Sequence, residues 1–314
     1  MNPKLSIIIP VYNVEKYLNN CLQSVCQPGN VEILCIEDGS TDNSLDILKE
    51  WENKDKRITV IQHNKNKGLS AARNTGLLHA KGDYIWCVDS DDMIIKGSYN
   101  IILKHVEKDN LDVLRFNGKM LVSENIKGKT KMLATWWSTP AIYEPCISGR
   151  KMFSDQKVNK HYRQPVQIYA IKRQFLMDNN LKFQEGIYFE DELFTLSVLM
   201  KAKRTSDIND ILYLYFVREN SITTMEKNKK HFDSLVFIID EIFKKIYTDE
   251  PEMLKRMICR HLSFLFEELN KTYQIVKDEV VLNEYEKEII EVSSYVPPLM
   301  RMYSIENLAH KRHN

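Results

Sequence analysis

The chain has 314 residues, with 44 Lys and Arg against 43 Asp and Glu, a formal charge of +1 and a hydrophobic fraction of 43%. That length can bury one large core or two ordinary ones, and the balanced charge excludes a global field that would draw the protein to nucleic acid. Six cysteines (21, 26, 35, 87, 146 and 259) form no C-x-x-C pair and no His-flanked cluster, so a disulfide framework is not expected and a reducing cytoplasm fits.

Met1-Asn2-Pro3-Lys4 and the apolar run after it look superficially like a signal peptide. The run is short, however, and meets Asn13, Glu15 and Lys16 without a small-residue cleavage site. Leu5–Tyr12 reads instead as a buried parallel strand. Asn13 is expected to cap a helix whose Val14, Tyr17, Leu18, Cys21, Leu22 and Val25 share one apolar face, ended by Pro28-Gly29. Val31–Glu37 is a second strand, followed by a helix through Leu45, Leu48 and Trp51. Ile58–Gln62 is a third strand. Ser70 is expected to cap a helix over Ala71–Lys81 that stops at Gly82, and Asp83–Val88 is a fourth strand. A helix over Ser98–Glu107 and a strand over Asp112–Asn117 extend the series. Strands alternating with helices in this way argue for an α/β fold with a doubly wound, mostly parallel sheet.

Residues 118–165, with Gly, Lys and Ser around Trp136-Trp137 and several prolines, read as loops plus a short helix, and the two tryptophans carry no assigned role. Val166–Ile171 is strand-like, and a helix then ends near Asn179-Asn180. Glu190-Asp191 opens a helix through Leu199, and Ile211–Val217 is a strand. From about Lys227 the pattern is helical, with Pro251 expected in the first turn of one helix. No run of about 18 apolar residues is present, so no transmembrane span is expected.

Two of these strands run straight into acids: Val31–Glu37 into Asp38-Gly39-Ser40-Thr41-Asp42, and Asp83–Val88 into Asp89-Ser90-Asp91-Asp92. Carboxylates at the carboxyl edge of an open α/β sheet lie where such sheets bind ligands. In extended backbone, residues two apart point the same way, so Asp89 and Asp91 are expected to converge on one point while Ser90 faces away. Two converging carboxylates call for a cation. Hard oxygen ligands suit Mg²⁺ or Mn²⁺, usually held by one or two carboxylates with substrate phosphates completing the shell.

Six stretches in series resemble glycosyltransferase family 2 enzymes of the GT-A, Rossmann-like fold. They are SIIIPVYNVEKYLNNCLQSV (6–25), IEDGSTDNS (36–44), NKGLSAARNTG (66–76), GDYIWCVDSDD (82–92), YFEDELF (188–194) and RENSIT (218–223). The resemblance implies a GT-A nucleotide-sugar-binding and catalytic domain over 1–225, and leaves 226–314 as a helical C-terminal region with a basic tail. It implies transfer of a sugar from a nucleoside diphosphate to an acceptor hydroxyl, with inversion, usually with Mg²⁺ or Mn²⁺. Residue by residue, Pro10, Tyr12 and Asn13 match contacts to the base and ribose. Asp38 matches the acid that hydrogen-bonds a pyrimidine, which favours a UDP-sugar. Arg73 and Asn74 match the lining of the donor pocket. Asp89 and Asp91 match the metal-binding acids, with Asp91 as the direct ligand and Asp89 on the ribose. Asp191 matches the catalytic base, and Arg218 is a candidate brace for the diphosphate. Glu37 stands where many relatives carry another Asp, and Gln164–Tyr169 lacks the Trp and Lys often found there.

A carboxylate at a helix N-terminus is stabilised in its charged form, so Asp191 is expected to stay ionised and accept a proton. The Gln-x-x-Arg-Trp motif of processive synthases is absent, which favours one sugar per encounter. The expected partners are a nucleotide-sugar donor and a glycan or lipid-linked glycan acceptor in surface or capsular glycan assembly. A tail carrying Arg301, Lys311 and Arg312 could graze the inner face of a membrane, and the oligomeric state is open. Two other readings compete: nucleotidyl transfer, which lacks its Gly-rich phosphate loop here because Pro10-Val11-Tyr12-Asn13 stands in its place, and a non-catalytic nucleotide-sugar-binding protein that keeps the fold.

Overall fold

The computed structural model describes residues 2–122, 138–141, 146–217, 225–247 and 250–295. Within them, eight strands form one sheet: β1 (Leu5–Val11), β2 (Val31–Glu37), β3 (Ile58–Gln62), β4 (Tyr84–Cys87), β5 (Met93–Ile94), β6 (Val113–Val122), β7 (Tyr169–Lys172) and β8 (Thr205–Val217), in the order β3-β2-β1-β4-β7-β6-β8-β5. β3, β2, β1 and β4 are parallel, as their near-continuous apolar sequences require. The other half is mixed. β7 inserts antiparallel between β4 and β6, β6 and β8 run parallel, and the short β5 closes the edge antiparallel to β8.

The helices are α1 (Glu15–Val25), α2 (Ser44–Lys54), α3 (Leu69–His79), α4 (Ser98–Lys108), α5 (Gly149–Val158), α6 (Arg173–Asp178), α7 (Glu190–Lys201), α8 (Lys229–Ile242), α9 (Glu252–Val276) and α10 (Glu284–Tyr295). Two caps differ from expectation. Asn13 does not cap α1; it sits at φ 51°, its N–H donates to Ser40 Oγ (3.1 Å) and its Oδ1 accepts from the Thr41 amide (2.8 Å). The start of α1 is satisfied across space, because Val14 N–H donates to Ser44 Oγ (3.1 Å) and Glu15 N–H to Asp42 Oδ2 (3.0 Å). Asp42 also accepts from Ser44 N–H (3.0 Å), so one carboxylate serves two helix starts. Burial alone would raise its pKa, but these donors together bring it below the usual value. Ser70 is the second residue of α3 rather than its cap; Gly68, at φ 92°, holds that position. Pro251 likewise stands just before α9 rather than in its first turn.

α3 lies close on β1 because residue 76 is glycine: a Cβ there would run into Ile8 Cγ2. Gly76→Ala is therefore expected to lower stability by about 1–3 kcal/mol, read from the urea midpoint.

Two cores form. One lies around the sheet, built from Ile7, Ile8, Ile33, Trp86, Phe116 and their neighbours. The second joins Met152 and Phe153 of α5 to Phe232, Ile239, Ile258, Leu262 and Phe266 of the C-terminal helices, so it draws on both sides of residue 225. α7 belongs to both: Phe194 and Val198 pack toward the sheet, Leu196 and Leu199 toward the helices. Among the described residues no helix is long and apolar enough to cross a membrane, and all six cysteines are free. Arg218, Trp136-Trp137 and the basic tail lie outside the described residues.

Candidate active site

The carboxyl ends of β1, β2 and β4 supply Tyr12 and Asn13, Asp38, and Asp89 and Asp91, as expected for an α/β sheet; Arg73, Asn74 and Asp191 come from α3 and α7. Pro10 is buried within β1 opposite Ile36, whereas Tyr12 and Asn13 are exposed just beyond the strand end. Asp38 follows β2 and is buried. Its Oδ1 accepts from Lys67 N–H (2.9 Å) and lies 2.6 Å from His63 Nδ1, and its Oδ2 accepts from Gly68 N–H (2.8 Å). The carboxylate thus holds the Lys67–Gly68 backbone just ahead of α3, and the vicinity of a helix N-terminus favours negative charge. His63 Nε2 continues the chain to Thr75 Oγ1 at 2.9 Å. His63 went unassigned in the sequence, although it directly follows β3 and so lies at the same sheet edge as the acids. Asp38→Ala strands these donors and is expected to cost about 1–3 kcal/mol, seen as a lowered unfolding midpoint.

Arg73 is the centre of the site. It lies on α3, one per cent exposed, with its guanidinium crossing to two distant elements. Nη2 donates to Asp89 Oδ1 at 2.9 Å; Nη1 donates to Glu190 Oε1 at 2.5 Å and to Asp191 Oδ1 at 3.2 Å. Its charge also sits 5.2 Å from the centre of the Phe183 ring. Asn74, beside it, donates to Phe183 O (2.9 Å) and Glu185 Oε1 (3.0 Å) and accepts from Phe183 N–H (2.9 Å), which ties down the segment leading to α7.

The second acidic cluster is a turn, not extended backbone: Asp92 N–H donates to Asp89 O at 3.1 Å. The expected convergence of Asp89 and Asp91 by strand alternation is therefore corrected, since a turn removes the two-residue repeat. Ser90 is buried. Asp89 has both oxygens engaged, Oδ1 by Arg73 and Oδ2 by Gln167 Nε2 at 2.6 Å. Asp92 accepts from Tyr213 Oη (2.5 Å) and Phe216 N–H (2.8 Å), which anchors β8; burial, then the Asp91 and Asp89 charges, push its pKa well up. Asp91 stands half-buried between them.

Among the described residues no three His, Cys, Asp or Glu side chains gather to hold a metal. The donor set here is thus Asp91, with Asp89 turned to Arg73 and Gln167. One carboxylate fits Mg²⁺ or Mn²⁺ where substrate phosphate oxygens complete the shell.

Asp191 is the second residue of α7, whose N-cap Phe189 is left-handed at φ 59°. Its Oδ2 accepts from Val166 N–H at 3.4 Å. Burial lifts its pKa well above the usual carboxylate value; Arg73 opposes that, and the Glu190 and Asp89 charges add to it. Burial therefore outweighs the helix-terminus effect that the sequence suggested. A carboxylate raised in this way is a stronger proton acceptor while ionised. On the next residue, Glu192 lies 3.2 Å from His261 Nε2 of α9, so the C-terminal helices touch the same helical turn.

The glycosyl transferase family 2 model matches residues 6–166, over half the chain and including Pro10 through Asp91. The chain belongs to glycosyl transferase family 2. An uncharacterised glycosyltransferase, EpsJ of Bacillus subtilis, is 31% identical over 71% of this chain, and the aligned stretch spans 64% of EpsJ. Two solved structures share the fold. Residues 1–349 of Staphylococcus aureus TarS with UDP-GlcNAc align at TM-score 0.67 and 22% identity, covering 99% of this chain and 89% of that one. A Pyrobaculum calidifontis mannosyltransferase with GDP-Man and Mn²⁺ aligns at TM-score 0.58 and 14% identity, covering 100% and 88%. The GT-A expectation is thereby met for a family 2 chain.

Proposed function

We propose that the protein is an inverting, divalent-metal-dependent glycosyltransferase that moves a sugar from a UDP-sugar to a hydroxyl of a surface or capsular glycan, at the cytoplasmic side of the membrane. One observation carries the reading. The guanidinium of Arg73 binds the donor-side acid Asp89 and the base Asp191 at once, so two residues assigned to opposite halves of the reaction border a single point. The UDP-GlcNAc bound by TarS supports a uridine donor, and the Mn²⁺ of the mannosyltransferase supports a metal.

In this reading Tyr12 and Asn13, at the open end of β1, receive the nucleoside, with Pro10 shaping the strand end beneath them. Asp38 acts mainly by holding the Lys67–Gly68 backbone that borders it. Asp89, held by Arg73 and Gln167, presents a fixed carboxylate edge to the ribose. Asp191 takes the proton of the acceptor hydroxyl as the acceptor oxygen bonds to the anomeric carbon, while the bond from that carbon to the diphosphate oxygen breaks on the opposite face; inversion follows from that single displacement. Asp91 would hold a divalent ion, and that ion would supply neutralisation of the charge on the leaving diphosphate.

The test is a thermal-shift and UDP-release panel of UDP-sugars and GDP-mannose, with and without Mn²⁺. UDP-sugars with Mn²⁺ are expected to stabilise the protein and to yield UDP; turnover separates an enzyme from a pure binder. Asp91→Ala is expected to lose the Mn²⁺-dependent part of UDP affinity, measured by calorimetry. An unchanged affinity removes Asp91 as a ligand.

A further inference from the structure

Two lysines lie over the two aromatic rings that lead into the catalytic helix. Lys230 Nζ is 4.3 Å from the centre of the Tyr188 ring, and Lys227 Nζ is 4.7 Å from that of Phe189. Tyr188 and Phe189 immediately precede Glu190 and Asp191. Three residues of chain span at most about 10 Å, so both rings start close to the base.

The rings are held in place. Tyr188 N–H donates to Ser234 Oγ of α8 at 3.0 Å, and the His231 ring packs on both, with centroids 4.6 Å and 5.7 Å away. His231 is itself fixed by a reciprocal cap with Asn228 at the start of α8. Tyr188 and Phe189 are each partly exposed, and partly exposed aromatic rings on a rigid support suit a sugar or polyol.

Among the described residues the two lysines have no ion-pair partner. Lys229, between them in the chain, is ion-paired with Asp233 at 2.7 Å. Glu268, whose charge reaches Lys227, is ion-paired with Lys271 at 2.7 Å. Burial, opposed by Glu268 and joined by the Lys271 charge, pulls the pKa of Lys227 below the usual lysine value. Lys230 is exposed and Lys227 partly buried; a partly buried ammonium with no ion-pair partner is costly, and an arriving anion relieves the cost. The first turn of α8 has no acid of its own and adds partial positive charge from its free amides.

We infer that Tyr188, Phe189, Lys227 and Lys230 form an acceptor subsite for an anionic glycan, with the rings taking a sugar or polyol unit and the two ammonium groups taking a phosphodiester or carboxylate on the same chain. The inference rests on the transferase reading, with Asp191 as base, and adds the charge of the acceptor to it.

The test is calorimetric binding of three oligomers to the full chain, at low and at high salt: a glycerol-phosphate hexamer, a galacturonate hexamer and neutral maltohexaose. At least one anionic oligomer is expected to bind more tightly than maltohexaose, to weaken with salt, and to lose roughly tenfold or more in affinity with K227E/K230E. Which anionic oligomer binds separates phosphodiester from uronate acceptors. The unfolding midpoint of the double variant is measured alongside; if it falls, K227Q/K230Q carries the comparison. Equal affinity for maltohexaose and the anionic oligomers, affinity unaltered by the lysine changes, or binding of none of the three overturns the subsite. UDP release from UDP-sugars without acceptor is scored separately, so failure of the transferase reading is distinguishable from failure of the subsite.

Discussion

Asp191→Asn is expected to lower kcat by about 10²–10⁴-fold, the usual worth of a positioned general base, while UDP-sugar affinity stays close to that of the wild type. The substitution keeps the shape of the side chain. The amide can still accept from Val166 N–H, and Glu190 and Asp89 still hold Arg73. What it removes is the ability to take a proton. Single-turnover transfer, with donor binding measured by calorimetry, checks the split; parallel loss of binding and turnover would make Asp191 a structural acid instead. The wild-type pH profile carries a second signature. Burial raises the Asp191 pKa, and the ionised form is the active one. Activity is therefore expected to fall on acidification at a higher pH than an ordinary carboxylate, whose value is near 3.8, would give.

What the sequence made legible was local. β2 and β3 fall where their apolar runs place them, and α7 begins at Glu190 as its acids indicate. What escaped was set by partners far away in the chain. β8 reads as a strand only from Ile211, yet it starts at Thr205, because its early residues are polar: Asp207 is buried against Arg115 Nη1 at 2.7 Å, and the pairing with β6 shifts register between Arg115 and Asn117. Gly118-Lys119 reads as loop but lies in β6, held by β8. Val166–Ile168 is a 3-10 turn instead of the start of a strand, with β7 beginning at Tyr169. The insertion of β7 between β4 and β6 is a matter of strand order, which periodicity does not encode. The site follows the same division. Each acid was visible from its position at a strand end or helix start. Gln167, Glu190 as a partner of Arg73, and the turn at Asp89–Asp92 were not, since each is defined by a contact across the fold.

Arg73→Met is expected to be the more damaging substitution, because it leaves Asp89, Glu190 and Asp191 gathered around no cation. Removing one partner of a buried ionic cluster costs about 3–5 kcal/mol, against a total domain stability of about 5–15 kcal/mol. The variant should therefore unfold at a much lower urea concentration and lose transfer together with UDP-sugar binding. Its pH dependence distinguishes this cause from a simple packing defect. Without the guanidinium, the opposition to burial at Asp191 disappears, and the Glu190 and Asp89 charges raise its pKa unopposed. A carboxyl whose folded pKa lies above its unfolded value binds protons more tightly in the native state, so stability rises as pH falls through the folded value and is lost again as pH increases. Acidification should thus restore part of the stability lost by Arg73→Met, whereas a packing defect such as that from Gly76→Ala should show no such recovery. Urea titrations of both variants at mildly acid and at neutral pH make the comparison. A deficit that is the same at both pH values would mean that Arg73 holds the site by its shape rather than its charge.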